Sequence, residues 1–242
     1  MKPNRSPWSL SFPAAQLLVA ECAAKTHPEY RAAKTGDAAA AARLVQQLVG
    51  DPAVDAIALL LSGRRPLVAS IHAQEENGVN AIPEALADRI AHRLGLATDE
   101  SLVQTNIVNH TGADGFSRLA RQALFTGEVV AGSEYLIVDD FIGQGGTMAN
   151  FRGYIEQNGG LVLGAVSLTG KPYSAQLAVS ALRLNELRGR HGELEDWWHE
   201  RFGFGFDALT ESEARYLAHT PDAHTIRDRI SAAEQAADGS QG

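Results

Sequence analysis

Tyr135-Leu136-Ile137-Val138-Asp139-Asp140-Phe141-Ile142-Gly143-Gln144-Gly145-Gly146-Thr147 decides how this chain is read. Four apolar residues, β-branched ones among them, predict a buried strand. Two carboxylates stand at its tip. Three glycines follow, and Thr147 opens a helical run from Met148 to Gln157. Glycines let backbone N–H groups approach an anion closely. A helix start adds free donors and a favourable dipole. The order therefore predicts a phosphate site in the loop, with Asp139 and Asp140 placed for sugar hydroxyls or a magnesium ion. No Gly-Lys-Ser/Thr follows the glycines, so this is not a Walker A loop. Gly143, Gly145 and Gly146 do not spell G-x-G-x-x-G either, so it is not the dinucleotide fingerprint.

Working outward, strands are expected at 67–71, 102–108, 135–139 and 161–168, with helices between them. The helix from Pro83 to Leu94 is framed by Pro83 and Gly95. Alternation of this kind predicts a parallel twisted sheet flanked by helices, with the acid pair at the carboxyl ends of the strands. Residues 1–65 read as an N-terminal helical extension, with Asp37 capping an alanine-rich helix and Pro52 starting another. Residues 66–171 read as the α/β core. Residues 172–242 carry no strand pattern and read as a helical cap, in which Thr210-Glu211-Ser212-Glu213 is a capping box.

The chain has 242 residues, 45% of them hydrophobic, enough for one α/β core with appendages. A net charge of −8 argues against a nucleic-acid-binding surface. The single Cys22 excludes an intramolecular disulfide and a cysteine-based zinc site, which suits a reducing cytoplasm. No run near 18 apolar residues occurs, so no membrane span is expected.

Residues 135–147 resemble the PRPP (phosphoribosyl pyrophosphate) motif of the type I phosphoribosyltransferases, with Gln144 where threonine is usual. The resemblance runs as fold order over about residues 66–171. It implies a magnesium-dependent enzyme that transfers the phosphoribosyl group of PRPP to a nitrogenous base, a purine for preference, and releases pyrophosphate. It implies Asp139 and Asp140 as the catalytic pair and Gly143, Gln144, Gly145, Gly146 and Thr147 as the cradle of the 5-phosphate. His72, Gln74, Arg118 and Arg121 are its candidates for the pyrophosphate. Arginines three apart equally suit a solvated helix face. Lys171, in a Lys-Pro pair, and Trp197 are candidates for the base; Asp207, in a Gly-aromatic-Gly-aromatic-Asp run, is a candidate to join Asp139 and Asp140 on Mg2+. His110 and Asp114 are further candidates near the base. Lys171 echoes the 6-oxopurine branch, whereas Gly143 is small as in the adenine and orotate branches, so the base stays open. The implied partners are PRPP and a small base, without nucleic acid or membrane, and a homodimer is compatible. A PRPP- or nucleotide-binding regulator without catalysis is the alternative. A phosphatase using both aspartates on a metal would want D-x-D-x-[TV], which is absent.

Overall fold

The computed structural model describes residues 2–71, 74, 75, 78–108 and 114–238, with only the backbone at 74, 75, 237 and 238. The chain opens with an extended arm and β1 (Gln16–Leu17), then α1 (Glu21–Lys25), α2 (Tyr30–Lys34), α3 (Ala38–Leu48) and α4 (Asp51–Leu61). Next come β2 (Leu67–Ser70), β3 (Gln74–Glu75), β4 (Gly78–Val79), α5 (Ile82–Leu94), β5 (Thr98–Asp99) and β6 (Val103–Gln104). After α6 (Gly115–Ala120) and β7 (Phe125–Thr126) comes the central unit, β8 (Glu134–Ile142), α7 (Gly146–Gln157) and β9 (Leu161–Gly170). The rest is helical: α8 (Ala181–His191), α9 (Glu195–Phe202), α10 (Glu211–Ala218) and α11 (Ala223–Asp238), joined by short 3-10 turns.

Five strands form one parallel sheet in the order β1-β9-β8-β2-β5. This is the expected parallel twisted sheet flanked by helices. Two of its strands differ from expectation. The 102–108 stretch contributes only Val103–Gln104, which pairs antiparallel with β7 away from the main sheet; Thr98–Asp99 takes the edge beside β2. The polar residues Gln104, Thr105 and Asn106 explain this. Asn106 instead ties down the segment before β7, accepting from Leu124 N at 2.8 Å and donating to Gln122 O at 2.9 Å. At the other edge, Gln16–Leu17, within the extension expected to be helical, pairs with β9, and the first helix is Glu21–Lys25.

Alternation along β8 sends its side chains to opposite faces. Leu136 and Val138 pack with α3, α4 and α5; Tyr135 and Ile137 pack with Met148, Phe151 and Ile155 of α7. The terminal helices enclose a separate apolar cluster around Trp198, Phe202, Phe204 and Phe206. Local signals fall where read: Asp37 accepts from Ala40 N at 2.9 Å, Gly95 ends α5 in the left-handed region, and Thr210 with Glu213 forms a complete capping box. Among the described residues no single helix is long and apolar enough to cross a membrane.

Candidate functional site at the tip of the central strand

β8 lies between β2 and β9 and outruns β2: Val138 registers with Ser70, the last residue of β2, and Asp139 with Ser167 of β9. The acid pair therefore emerges at the carboxyl edge of the sheet. Asp139 and Asp140 are both buried. Adjacent residues on a strand point to opposite faces, so the carboxylates diverge. Asp140 continues the face of Leu136 and Val138, where Lys34 Nζ of α2 meets its Oδ2 at 3.1 Å. Asp139 turns its Oδ1 back to accept the Asp140 amide at 2.8 Å. Burial, and next the neighbouring Asp140 charge, push the Asp139 carboxyl well above the usual carboxylate range.

The loop beyond is held from behind. Ser174 Oγ donates to the Gly143 carbonyl, and Thr210 Oγ1 donates to the Gln144 carbonyl at 2.6 Å. In a trans peptide the N–H points away from the carbonyl across the same bond. The amides of Gln144 and Gly145 therefore face away from these hydroxyls. The intrahelical ladder of α7 starts with Ala149 N donating to Gly145 O at 2.9 Å, so the amides of Gly146, Thr147 and Met148 precede it. Gly145 is left-handed at φ 86°, and a Cβ there would lie 2.6 Å from Leu177 Cδ2, so the turn requires glycine. A Cβ on Gly146 would lie 2.6 Å from Glu213 Oε1. Gln144 Oε1 is buried without a partner among the described residues. Together these features form an amide cradle at a helix start, suited to an anion.

Cations ring this tip. Besides Lys34 at Asp140, Lys25 Nζ stands 4.8 Å over the Phe141 ring. The Arg118 guanidinium lies where a Cβ on Gly143 would be 2.8 Å from its Nη1. Lys171 donates its amide to Ile142 O at 3.0 Å. A net-negative chain thus concentrates basic groups beside residues 140–143, an arrangement that suits a polyanionic ligand.

The other expected residues divide. Arg118 is brought to the loop. Arg121 caps the end of α6, with its Nε meeting no acceptor among the described residues. The Lys171 ammonium is held by Glu21 at 2.7 Å; the hydrogen bond to Lys171, then that to Lys25, lowers the Glu21 carboxyl from its usual range. Trp197 packs against Trp198 and Phe202 in the helical cluster, under Arg227, and not at the strand tip. Asp207 does not join the acid pair: its carboxylate stands beside Gly205, and its carbonyl accepts from Trp8 N at 3.2 Å. The aromatic residues of its run are drawn into the terminal core, which carries Asp207 with them. Among the described residues no three His, Cys, Asp or Glu side chains gather to hold a metal ion. Asp114 is the N-cap of α6, accepting from Ser117 N at 2.7 Å. His72 and His110 lie outside the described residues, and so does the Gln74 side chain.

Sequence reasoning missed Lys34, Lys25, Ser174 and Thr210 as neighbours of the motif. Thr210 was visible as a helix cap, but its second bond, to Gln144, has no local sequence signal.

No family model matches the chain. Over 235 residues, 97% of its length, the chain is 40% identical to Protein TraN of Escherichia coli and spans 52%, about half, of that relative. Among solved structures, adenine phosphoribosyltransferase from Thermoanaerobacter pseudethanolicus is 20% identical, covering 50% of this chain and 67% of that one at a TM-score of 0.35. Adenine phosphoribosyltransferase from Leishmania donovani is 15% identical, covering 69% and 76% at a TM-score of 0.36.

Proposed function

We propose that this chain binds PRPP at the carboxyl edge of its sheet and transfers the phosphoribosyl group to a nitrogenous base, a purine for preference. The observation that carries this reading is the join of a buried acid pair to a glycine loop whose amides face away from its anchoring hydroxyls. The amides from Gln144 to Thr147 hold the 5-phosphate, with the Thr147 hydroxyl helping. Asp139 and Asp140 meet the ribose hydroxyls. As pyrophosphate leaves, positive charge grows at C1 of the ribose and the Asp140 carboxylate stabilises it. Arg118 beside Gly143 and Lys25 over Phe141 supply positive charge to neutralise the leaving anion. A nitrogen of the base then attacks C1, and no covalent protein nucleophile is required. The described side chains do not fit a resident metal ion, because Asp207 is elsewhere and Asp140 faces Lys34. Magnesium enters this scheme only as the counterion of the substrate pyrophosphate.

A binding protein without transfer is the second reading. It is favoured by Lys171 being engaged by Glu21 and by Trp197 being packed in the helical core, since both were expected at the base.

Incubation with PRPP, magnesium and a pool of purine and pyrimidine bases, followed by mass spectrometry, separates the two. A base-dependent nucleotide that Asp140→Asn abolishes, with the fold retained by circular dichroism, is the result expected of the enzyme. PRPP-dependent thermal stabilisation without product supports the binder. Neither signal, or wild-type turnover by folded Asp140→Asn, removes the assignment.

A further inference from the structure

Two opposite charges lie against Gly146. A Cβ there would stand 2.6 Å from Glu213 Oε1 and 3.2 Å from Arg5 Nη2. Both side chains are shut off from water. The Gly146 amide precedes the hydrogen-bonded ladder of α7 and so belongs to the anion cradle. A carboxylate buried that close to an anion site is poorly screened and opposes the anion. The fold nevertheless requires Glu213. Its Oε2 accepts Thr210 N at 2.9 Å and completes the capping box of α10, and the same threonine holds the Gln144 carbonyl.

The charge that offsets it comes from the other end of the chain. Arg5 forks onto the carboxylate, Nη1 to Oε2 at 2.6 Å and Nη2 to Oε1 at 2.9 Å. The arm that carries Arg5 has no helix or strand of its own and is held by the elements it crosses. Arg152 of α7 donates to Ser6 O at 3.0 Å and to Pro7 O at 2.8 Å. Trp8 N donates to Asp207 O at 3.2 Å, and Lys2 Nζ to Glu200 O at 2.6 Å. A Cβ on Gly153 would lie 2.6 Å from Arg5 Cα, so α7 admits the arm only with glycine at that position. The guanidinium is thus delivered to one fixed point between α7 and α10.

Resting on the anion cradle of the PRPP reading above, we infer that Arg5 licenses that cradle electrostatically: it masks the Glu213 carboxylate that the capping box places behind Gly146, so the loop holds a phosphate tightly only while the N-terminal arm is docked. Arg5 is on this account a positioning residue whose charge acts beyond its bonds.

Calorimetric titration with inorganic phosphate separates charge from bracing. Glu213→Gln removes the negative charge but keeps an oxygen for Thr210 N and Arg5 Nη1, since glutamine serves a capping box as glutamate does. It should bind phosphate about tenfold more tightly than wild type, and Arg5→Met about tenfold more weakly, because each changes one buried charge beside the cradle. The double variant should return close to wild type. Bracing alone predicts the opposite sign for Glu213→Gln, which would then weaken binding along with Arg5→Met. Weaker or unchanged binding by Glu213→Gln therefore overturns the inference, and that comparison stands even where Arg5→Met fails to fold. Arg5→Lys keeps the charge and loses the fork, so its affinity should stay closer to wild type than to Arg5→Met; the reverse order overturns the inference equally. Phosphate bound by neither wild type nor Glu213→Gln overturns it together with the cradle. PRPP titrated with magnesium addresses the ligand separately: the expected phosphate series without PRPP binding sinks the PRPP reading and leaves the role of Arg5 standing.

Discussion

Two ion pairs flank the same thirteen residues, and they are built differently. Behind the loop, Arg5 and Glu213 meet in a fork at 2.6 and 2.9 Å, with side chain exposures of 1% and 3%. Every arm of that fork is used. Arg5 Nε donates to Asn150 Oδ1 at 2.5 Å, its Nη1 also donates to Ala208 O at 3.2 Å, and Glu213 Oε2 accepts Thr210 N at 2.9 Å. In front, Lys34 meets Asp140 at one oxygen and stays a quarter exposed. A planar bidentate pair with all its donors engaged is a strut. A point charge against a single carboxylate oxygen fixes no such plane. Both basic partners come from the N-terminal sixty residues, so that segment both braces the loop and charges its face.

Breaking the strut is the strongest way to test this contrast. Arg5→Met leaves the Glu213 carboxylate buried beside Gly146 without its partner, and removal of one member of a buried pair costs about 3–5 kcal/mol. Urea denaturation should show that loss, with the PRPP-dependent thermal shift weakened as well because Gly146 is part of the cradle. A loss no greater than that of an exposed pair, about 1 kcal/mol or less, would mean that the arm lies on the loop without bracing it.

How much of this was legible follows from the range of the interactions. The strand, the acid pair, the glycine loop and the helix start are contiguous, and their order is a local consequence of β-branched packing, φ freedom and capping. Asp37, Gly95 and the Thr210–Glu213 box are local for the same reason. The struts are not. Arg5 lies in an extended arm with no periodicity, and 208 positions separate it from Glu213. Lys34 ends a five-residue helix whose sequence, Tyr-Arg-Ala-Ala-Lys, does not say which of its charges will be buried. Trp197 and Asp207 stand apart from the acid pair, and the sequence did not foretell it because an aromatic and acidic run looks the same whether it stacks on a base or fills a core. The six aromatic contacts among Trp197, Trp198, Phe202, Phe204 and Phe206 decided for the core.

A smaller effect probes the strut at one remove. Thr210→Val preserves shape while deleting the hydroxyl that caps α10 at Glu213 N and holds the Gln144 carbonyl. Losing a cap costs about 0.5–2 kcal/mol. The loop bond adds a functional signature: with the Gln144 peptide free to turn, PRPP affinity should fall by more than the stability loss explains. Thr210→Ser restores the hydroxyl and should recover both. Equal affinity in Thr210→Val and wild type would show that the Gln144 peptide holds its direction without help from α10.

The smallest effect lies between the two pairs, at Asp139, which neither cation touches directly. Its carboxyl is raised above the usual range, by burial first and by the Asp140 charge second. The sign follows from linkage. The folded state favours the protonated carboxyl, so the stability it contributes is fully present below the ordinary unfolded value of about 3.9. That contribution is lost as pH rises through the raised folded value. Asparagine imitates the neutral acid, because its Oδ1 can still accept the Asp140 amide. Asp139→Asn and wild type should therefore denature at similar urea midpoints near pH 4, and the variant should become the more stable of the two as pH rises toward 8. Parallel profiles would mean that Asp139 ionises freely in the fold. The acid pair would then carry two negative charges beside the Lys34 ammonium.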